Sequence, residues 1–174
     1  SEDRKYIPFG FMDSSVICGN ANSMLPNATL LEFGLISSRM HMAWVAAVCG
    51  RIKSDFRYSS TIVYNNYPFP TITTEKIKAD IESCALAVVK EREAEDARCA
   101  KENVHSSMAA MYGVGNMPES LLKAHIALDK AVDKAYGYKG ADDDASRVAF
   151  LFKLYEEMTS LLPAATVKTK RKVK

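Results

Sequence analysis

The sequence has no long hydrophobic run and none of the common nucleotide-binding or hydrolase motifs. No stretch approaches the ~18 uncharged apolar residues that a membrane-spanning helix requires. Residues 1–5 are mostly charged and no apolar run follows them, so we expect no secretory signal peptide. The patterns GxGxxG, GxxxxGK[ST] and GxSxG are also missing, which argues against a dinucleotide fold, a P-loop and a hydrolase nucleophile elbow. The sequence lacks an initiator Met, and we expect a piece of a longer protein or a processed one.

Cysteine and histidine are too few and too scattered to form a recognisable metal site. No two of them have CxxC or HxxxH spacing. We therefore expect free thiols in a reducing cytoplasm, without a disulfide framework or a bound metal. The residues concerned are Cys18, Cys49, Cys84 and Cys99, with His41, His105 and His125.

The balance of charge differs between the body of the chain and its last residues. The whole chain carries 23 basic and 21 acidic residues, but five of the basic ones lie within residues 168–174. The remainder has 18 basic and 21 acidic residues, a net charge of −3. Because such a body cannot coat a phosphate backbone by bulk charge, any contact with nucleic acid must come from a local site or from other parts of the protein.

The sequence predicts an α+β fold with a change of character near residue 70. Two prolines in residues 67–70 stop both strands and helices. Before them, short apolar runs predict strands at 5–12, 14–18, 51–58 and 61–64, a further apolar segment at 29–36, and a helix that begins near Ser37 and Ser38. We therefore expect a partial, β-containing unit at 1–70, a helical domain at 71–165 and a disordered basic tail at 166–174.

Three amphipathic helices are predicted after residue 70. The first begins near Thr74 and runs to about Arg98, the second has Pro118 in its first turn and ends at Gly137, and the third follows Asp142. His125 falls on an apolar stripe, which favours a core histidine over a ligand or a base. One buried cluster is predicted, made of Leu122, His125, Leu128, Val132, Tyr136, Phe152 and Tyr155.

The stretch from residue 51 to 58 alternates charged and mostly apolar side chains. On one continuous strand, Arg51, Lys53, Asp55 and Arg57 would share a face. Lys and Arg can donate to guanine, and Asp can accept from cytosine, so Lys53 and Asp55 could read the two bases of one G·C pair. The plainer interpretation is a solvated strand face with cross-strand ion pairs, which the pattern alone favours.

Several stretches carry a resemblance to a known family that covers nearly the whole chain except the tail. They resemble the C-terminal end of the MmeI-like single-chain restriction–modification enzymes, also called type IIL. The stretches are residues 5–8 (KYIP), 26–30 (PNATL), 38–44 (SRMHMAW), 57–59 (RYS), 62–66 (IVYNN) and 122–137.

The resemblance implies a longer protein with a defined order of domains. In that family a nuclease region, where present, precedes an adenine-N6 methyltransferase domain that binds S-adenosylmethionine, and a target-recognition domain and a short helical domain follow. This chain is similar to the last two only, with the recognition domain truncated at its start. The resemblance thus implies double-stranded DNA and an upstream methyltransferase domain of the same chain as partners, S-adenosylmethionine bound outside this fragment, and a prokaryotic, cytoplasmic protein.

The resemblance also assigns candidate roles to residues. Positions matched by Lys53, Asp55 and Arg57 choose target bases in such enzymes, and the loop at Asn20 and Ala21 matches a second such region. Further candidates for contact with DNA are Arg51, Arg39 and His41.

No catalytic residue is predicted in this chain. Its Tyr64-Asn65-Asn66-Tyr67-Pro68 segment has the wrong order for the Asn-Pro-Pro-Tyr motif of amino-group DNA methyltransferases, so we interpret it as a connector. From another functional class, the alternative is a helical protein-interaction module with no DNA role, which the acidic body supports. An Asn/Asp-Pro-Pro-aromatic motif upstream in a longer sequence would favour the enzyme.

Overall fold

The computed structural model describes residues 4–19, 22–53 and 55–160. Asn20, Ala21 and the predicted tail at 166–174 lie outside the described residues. The elements in chain order are α1 (Leu30–Ile36), α2 (Arg39–Val48), β1 (Gly50–Ile52), β2 (Asp55–Arg57), a π-helical turn (Ser60–Tyr64), α3 (Glu75–Lys101), α4 (Met108–Met111), α5 (Glu119–Tyr136) and α6 (Asp144–Thr159). A small β-containing part followed by helices confirms the predicted α+β class.

Local capping chemistry sets the helix boundaries. The hydroxyl of Ser38 accepts a hydrogen bond from the backbone N–H of His41, as the predicted start of α2 requires. Thr74 caps α3 in the same way. Gly137 ends α5 in the left-handed conformation with φ of 63°, which glycine adopts without steric cost.

The predictions of strands before residue 30 and at 61–64 are wrong. Residues 5–12 and 14–18 are irregular, and Ser60–Tyr64 forms the π-helical turn. The apolar segment at 29–36 is helix α1, which begins at a capping box between Thr29 and Glu32. Within the described residues, the sheet has two strands, so these apolar runs have no ladder to join. Tyr6, Phe9 and Val63 pack into or against the core without one, whereas Val16 and Ile17 are exposed.

The predicted single strand at 51–58 is also wrong, because it is a tight antiparallel hairpin. The strands pair as Gly50 with Arg57, Arg51 with Phe56, and Ile52 with Asp55. Lys53 lies in the turn with φ of 57°, in the left-handed region that an extended strand never enters.

One hydrophobic core joins the residues on both sides of position 70. Helices α3 and α5 pack together, α1 lies against α3, and α2 packs against α6. Phe33 and Trp44, from before the prolines, are buried in the same cluster as Ile81 and Leu128. The buried cluster predicted on α5 is confirmed for His125, Leu128 and Val132, which are 0% exposed.

The prediction of a buried Phe152 is wrong. Phe152 is 42% exposed, whereas its neighbour Leu151 is 0% exposed. The reason is the rotation of α6, which turns Leu151 and Arg147 inward and leaves Phe152 at the edge beside Trp44. No described helix is both long enough and apolar enough to cross a membrane.

Candidate DNA interface

The β1–β2 hairpin displays charged side chains on two different faces. Residues directly opposite each other in a ladder project to the same side. Ile52 and Asp55 therefore share one face with Arg57, while Arg51 and Phe56 share the other. The prediction that Arg51 lies on one face with Asp55 and Arg57 is wrong, because the turn reverses the chain between them.

The hairpin combines an exposed charged surface with one buried attachment. Arg51, Lys53, Asp55 and Arg57 are all exposed. Phe56 is half-buried and packs against the core. The Arg51 guanidinium carbon lies 4.7 Å from the centre of the Phe56 ring, a cation–π contact that covers this ring. The hairpin is thus attached on its Phe56 side, and Asp55 and Arg57 project from the other.

A buried histidine supports the end of the hairpin. His41 Nε2 lies 3.0 Å from the hydroxyl of Tyr58, the residue that follows β2. The rings of Phe9 and Tyr67 pack against the imidazole. His41 is 0% exposed, and burial lowers its pKa to about 3, so the ring is neutral at physiological pH.

His41 was predicted to contact DNA, and its burial contradicts this. The rings of Phe9, Tyr58 and Tyr67 pack against it in the core, and its hydrogen bond holds Tyr58.

Arg39 connects α2 to the helical part of the chain. Its Nε lies 3.1 Å from Oδ1 of Asp144, at the start of α6. Its backbone N–H donates to Oδ1 of Asp129, on α5, at 2.7 Å. The Arg39 side chain is 26% exposed, so the guanidinium stays at the surface but is directed toward a carboxylate of this chain.

Asp129 is a buried carboxylate that joins three parts of the chain. Besides the N–H of Arg39, it accepts the hydroxyl proton of Tyr6 in a hydrogen bond of 2.6 Å. Burial raises the pKa of Asp129 to about 6, although both hydrogen bonds favour the ionised form. Reasoning from sequence missed this residue. The available signal was its place four residues after His125, on the buried side of α5.

A second buried network of hydrogen bonds fixes the N-terminal segment. Arg92 on α3 donates from Nε to the hydroxyl of Tyr112 at 2.6 Å, and that hydroxyl lies 2.7 Å from Nε2 of His125. Arg92 also donates to the backbone carbonyl of Phe9. Because the Tyr112 oxygen already accepts from Arg92, its own proton is available to the imidazole. Burial, assisted by the charge of Arg92, lowers the pKa of His125 to about 3, so it is a core histidine, as predicted.

Comparisons with known proteins divide the chain between two family descriptions. "MmeI, target recognition domain" matches residues 1–71, and "MmeI, C-terminal domain" matches residues 73–163. The hairpin therefore lies within the target-recognition match, and Asp129, which accepts hydrogen bonds from Arg39 and Tyr6, lies within the other.

Two longer proteins are similar to this chain over most of its length. "DNA methyltransferase A" of Bacillus subtilis (strain 168) is 38% identical over 159 residues, which are 91% of this chain and 17% of that protein. A solved structure of the type IIL restriction–modification enzyme MmeI in complex with DNA shares 45% identity with a TM-score of 0.82. That match covers 92% of this chain and 20% of the other. The chain thus spans about a fifth of the length of either relative.

Proposed function

This chain belongs to the MmeI family of restriction–modification enzymes, and we propose that it reads the base edges of a specific duplex site for an adenine-N6 methyltransferase. The observation that carries this proposal is the exposed, charged hairpin within the part of the chain that matches the target-recognition domain. The methyl donor would be S-adenosylmethionine, bound by a part of the longer polypeptide outside this chain.

The hairpin has the size and the chemistry of a base-reading element. A two-stranded β-ribbon fits the major groove of B-DNA, which is about 12 Å wide. Lys53 at the tip can donate to O6 and N7 of guanine, and the Asp55 carboxylate can accept from N4 of cytosine. These residues are two positions apart, so their Cα atoms lie within about 7 Å of each other. They are therefore candidates for one G·C pair because they adjoin the same turn, not because they alternate along one strand.

The two remaining hairpin charges have different proposed roles. Arg57 shares the face of Asp55 but lies farther from the tip, so it would influence a neighbouring base pair. Arg51 is on the opposite face and would contact a phosphate at the groove wall. Asn20 and Ala21 remain proposed as a second base-reading region.

Most of the affinity for DNA would come from outside this chain. Without the five basic residues of its last seven, the chain carries a net charge of −3, whereas binding to duplex DNA depends on the neutralisation of phosphates. We therefore expect residues 1–174 alone to bind DNA weakly and to lose binding steeply as salt is added. The methyltransferase part would supply the remaining phosphate contacts and would receive the target adenine once it leaves the base stack.

The experiment uses the longer polypeptide that contains this chain. It is incubated with plasmid DNA and S-adenosylmethionine labelled in the methyl group, and the DNA is then digested to nucleosides. Label in N6-methyladenine at one recurring sequence is the expected result. Label in another base overturns the adenine assignment, and protein that folds but methylates no DNA overturns the proposed function in favour of an interaction module.

A second measurement separates recognition from catalysis. Residues 1–174 alone are titrated with S-adenosylmethionine in a calorimeter. Because the chain contains no Gly-rich cofactor loop and no Asn/Asp-Pro-Pro-aromatic motif, we expect no saturable heat. Micromolar binding would contradict the assignment of the cofactor to another part of the protein.

A further inference from the structure

We propose that Asp129 is a positioning residue for base recognition: from the helical part of the chain, it fixes the start of the helix that leads into the β1–β2 hairpin. This inference rests on the proposed function of the hairpin. It concerns how the hairpin is held, and it gives the C-terminal helical domain a share in the choice of the DNA sequence.

The contacts of Asp129 define the start of α2. Its Oδ1 accepts the backbone N–H of Arg39, the first residue of α2, at 2.7 Å. The N–H groups at the first turn of a helix have no partner within the helix, so an external acceptor fixes both the position and the direction of that end. Asp129 is 9% exposed, so its carboxylate is held between α5, the start of α2 and Tyr6.

Helix α2 transmits this constraint to the hairpin. It spans ten residues, a length of about 15 Å, and the hairpin begins at Gly50, two residues after α2 ends. Along this length, His41 contacts Tyr58 at 3.0 Å, and the Trp44 indole N–H donates to the carbonyl of Val63 at 3.0 Å. The residue that follows β2 and the π-helical turn itself are thus both tied to α2. Movement of the start of α2 would therefore move the hairpin with it.

Tyr6 adds a second connection to the same carboxylate. Its hydroxyl donates to Oδ2 of Asp129 at 2.6 Å, and its ring stacks on His125, one turn earlier on α5. With one oxygen for Tyr6 and the other for Arg39, the carboxylate uses both of its oxygens on the part of the chain that matches the target-recognition domain.

Three substitutions in the longer polypeptide separate positioning from stability. Asp129→Ala removes both hydrogen bonds. Asp129→Asn can keep both, because the amide oxygen can accept from the Arg39 N–H while the amide nitrogen donates to the Tyr6 oxygen. Asp133→Ala is the matched control: Asp133 lies one turn farther along α5 and pairs with Arg147 at 2.8 Å, so its loss also weakens the fold but leaves the start of α2 untouched.

The experiment measures how well each variant discriminates between two duplexes. The first contains the target site, and the second is identical except that the G·C pair proposed to be read by the hairpin is inverted. The ratio of kcat/KM for methyl transfer to the two duplexes is measured for each variant. We expect Asp129→Ala to lower this ratio about ten-fold, the factor that corresponds to about 1.4 kcal/mol. Asp129→Asn and Asp133→Ala should keep the wild-type ratio within about two-fold, a difference of under about 0.5 kcal/mol.

Equal ratios for Asp129→Ala and Asp133→Ala would overturn the inference. If Asp129→Ala does not fold, Arg39→Pro takes its place, because proline is accepted at the first position of a helix and removes the N–H that Asp129 accepts. A ratio for Arg39→Pro equal to that of Arg39→Ala, which keeps this N–H, would then overturn the inference, and a lower ratio for Arg39→Pro would support it. Failure of the proposed function looks different, since the wild-type protein itself would then methylate no site or would not distinguish the two duplexes.

Discussion

The ring of Tyr6 stacks on the imidazole of His125 with centroids 4.1 Å apart and an angle of 19° between the planes. Both side chains are fully or almost fully buried, at 1% and 0% exposed. The contact brings the N-terminal segment onto the buried side of α5, so the part that carries the hairpin and the helical part share one core. Variants that weaken α5 should therefore destabilise the described chain as a whole and not only its C-terminal half.

Leu128→Ala tests this shared core. Leu128 is 0% exposed, and its truncation should lower the free energy of unfolding by about 2–5 kcal/mol. The control is Ile126→Ala on the same helix, because Ile126 is 38% exposed and should cost much less. Urea denaturation followed by the fluorescence of Trp44 measures both variants. Equal stability of Leu128→Ala and the wild type would show that the core assignment is wrong.

Gly34→Ala tests the close approach of α1 to α3 and α5. A Cβ atom at position 34 would lie 2.8 Å from Cγ2 of Ile81 and 3.3 Å from Cδ1 of Leu128, both in the core. Overpacking lowers the free energy of unfolding by about 1–3 kcal/mol, and the better helix propensity of alanine raises it by about 1 kcal/mol. We therefore expect a net loss of stability of up to about 2 kcal/mol. The control is Gly10→Ala, where no atom lies within 4 Å of the added Cβ. A Gly34→Ala protein with a raised melting temperature would contradict this packing.

Acid should destabilise the fold through its two buried histidines. The pKa values of His41 and His125 are about 3 in the folded chain, against a usual value of 6.5, so the unfolded chain binds more protons as the pH falls below about 6.5. Asp129 acts in the opposite direction. Its pKa is raised from 3.8 to about 6, so its protonation favours the folded chain between these values. Because the two histidines lower the stability of the folded chain in acid and only Asp129 raises it, we expect the melting temperature to fall from pH 6.5 to pH 4.

Single substitutions test which residues cause the melting temperature to fall in acid. His41→Gln and His125→Gln should each reduce the slope of melting temperature against pH. His105→Gln is the control, because His105 is exposed and lies outside the core that holds the other two imidazoles. A melting temperature that is constant from pH 6.5 to pH 4 in the wild-type protein would contradict the neutral, buried state of the two imidazoles.

Features determined by neighbouring residues were predictable from the sequence. Ser38 and Thr74 start helices and Gly137 ends one because their effects act within one turn. The helical part after residue 70 and the core position of His125 follow from helical periodicity for the same reason.

Features that depend on distant contacts were not predictable. The hairpin turn at Lys53 has no Asn-Gly or Asp-Gly signal, and its charged residues alternate as they would on one strand. Nothing in the local sequence pairs Tyr6 with Asp129, or places His41 behind Tyr58 and away from the surface. The residue types at the candidate site could therefore be identified from the sequence. Which of these residues are exposed and able to read bases, and which are buried and support them, could not.

The most direct test of base recognition by the hairpin exchanges its donor and its acceptor. The longer polypeptide is made with Lys53→Glu and Asp55→Arg together, which leaves the net charge unchanged, and methylated sites are mapped in the DNA of cells that produce it. The control exchanges an exposed ion pair of α5 through Glu119→Lys and Lys123→Glu, again without a change in net charge.

We predict that the hairpin exchange inverts one G·C pair of the methylated sequence, that either single substitution lowers activity on both sequences, and that the α5 exchange changes neither. Each good base contact contributes about 1–3 kcal/mol of discrimination, so the inversion should be nearly complete when both contacts change. An unchanged methylated sequence at normal activity in the hairpin exchange would contradict the account, and Lys53 and Asp55 would then be ordinary solvated charges.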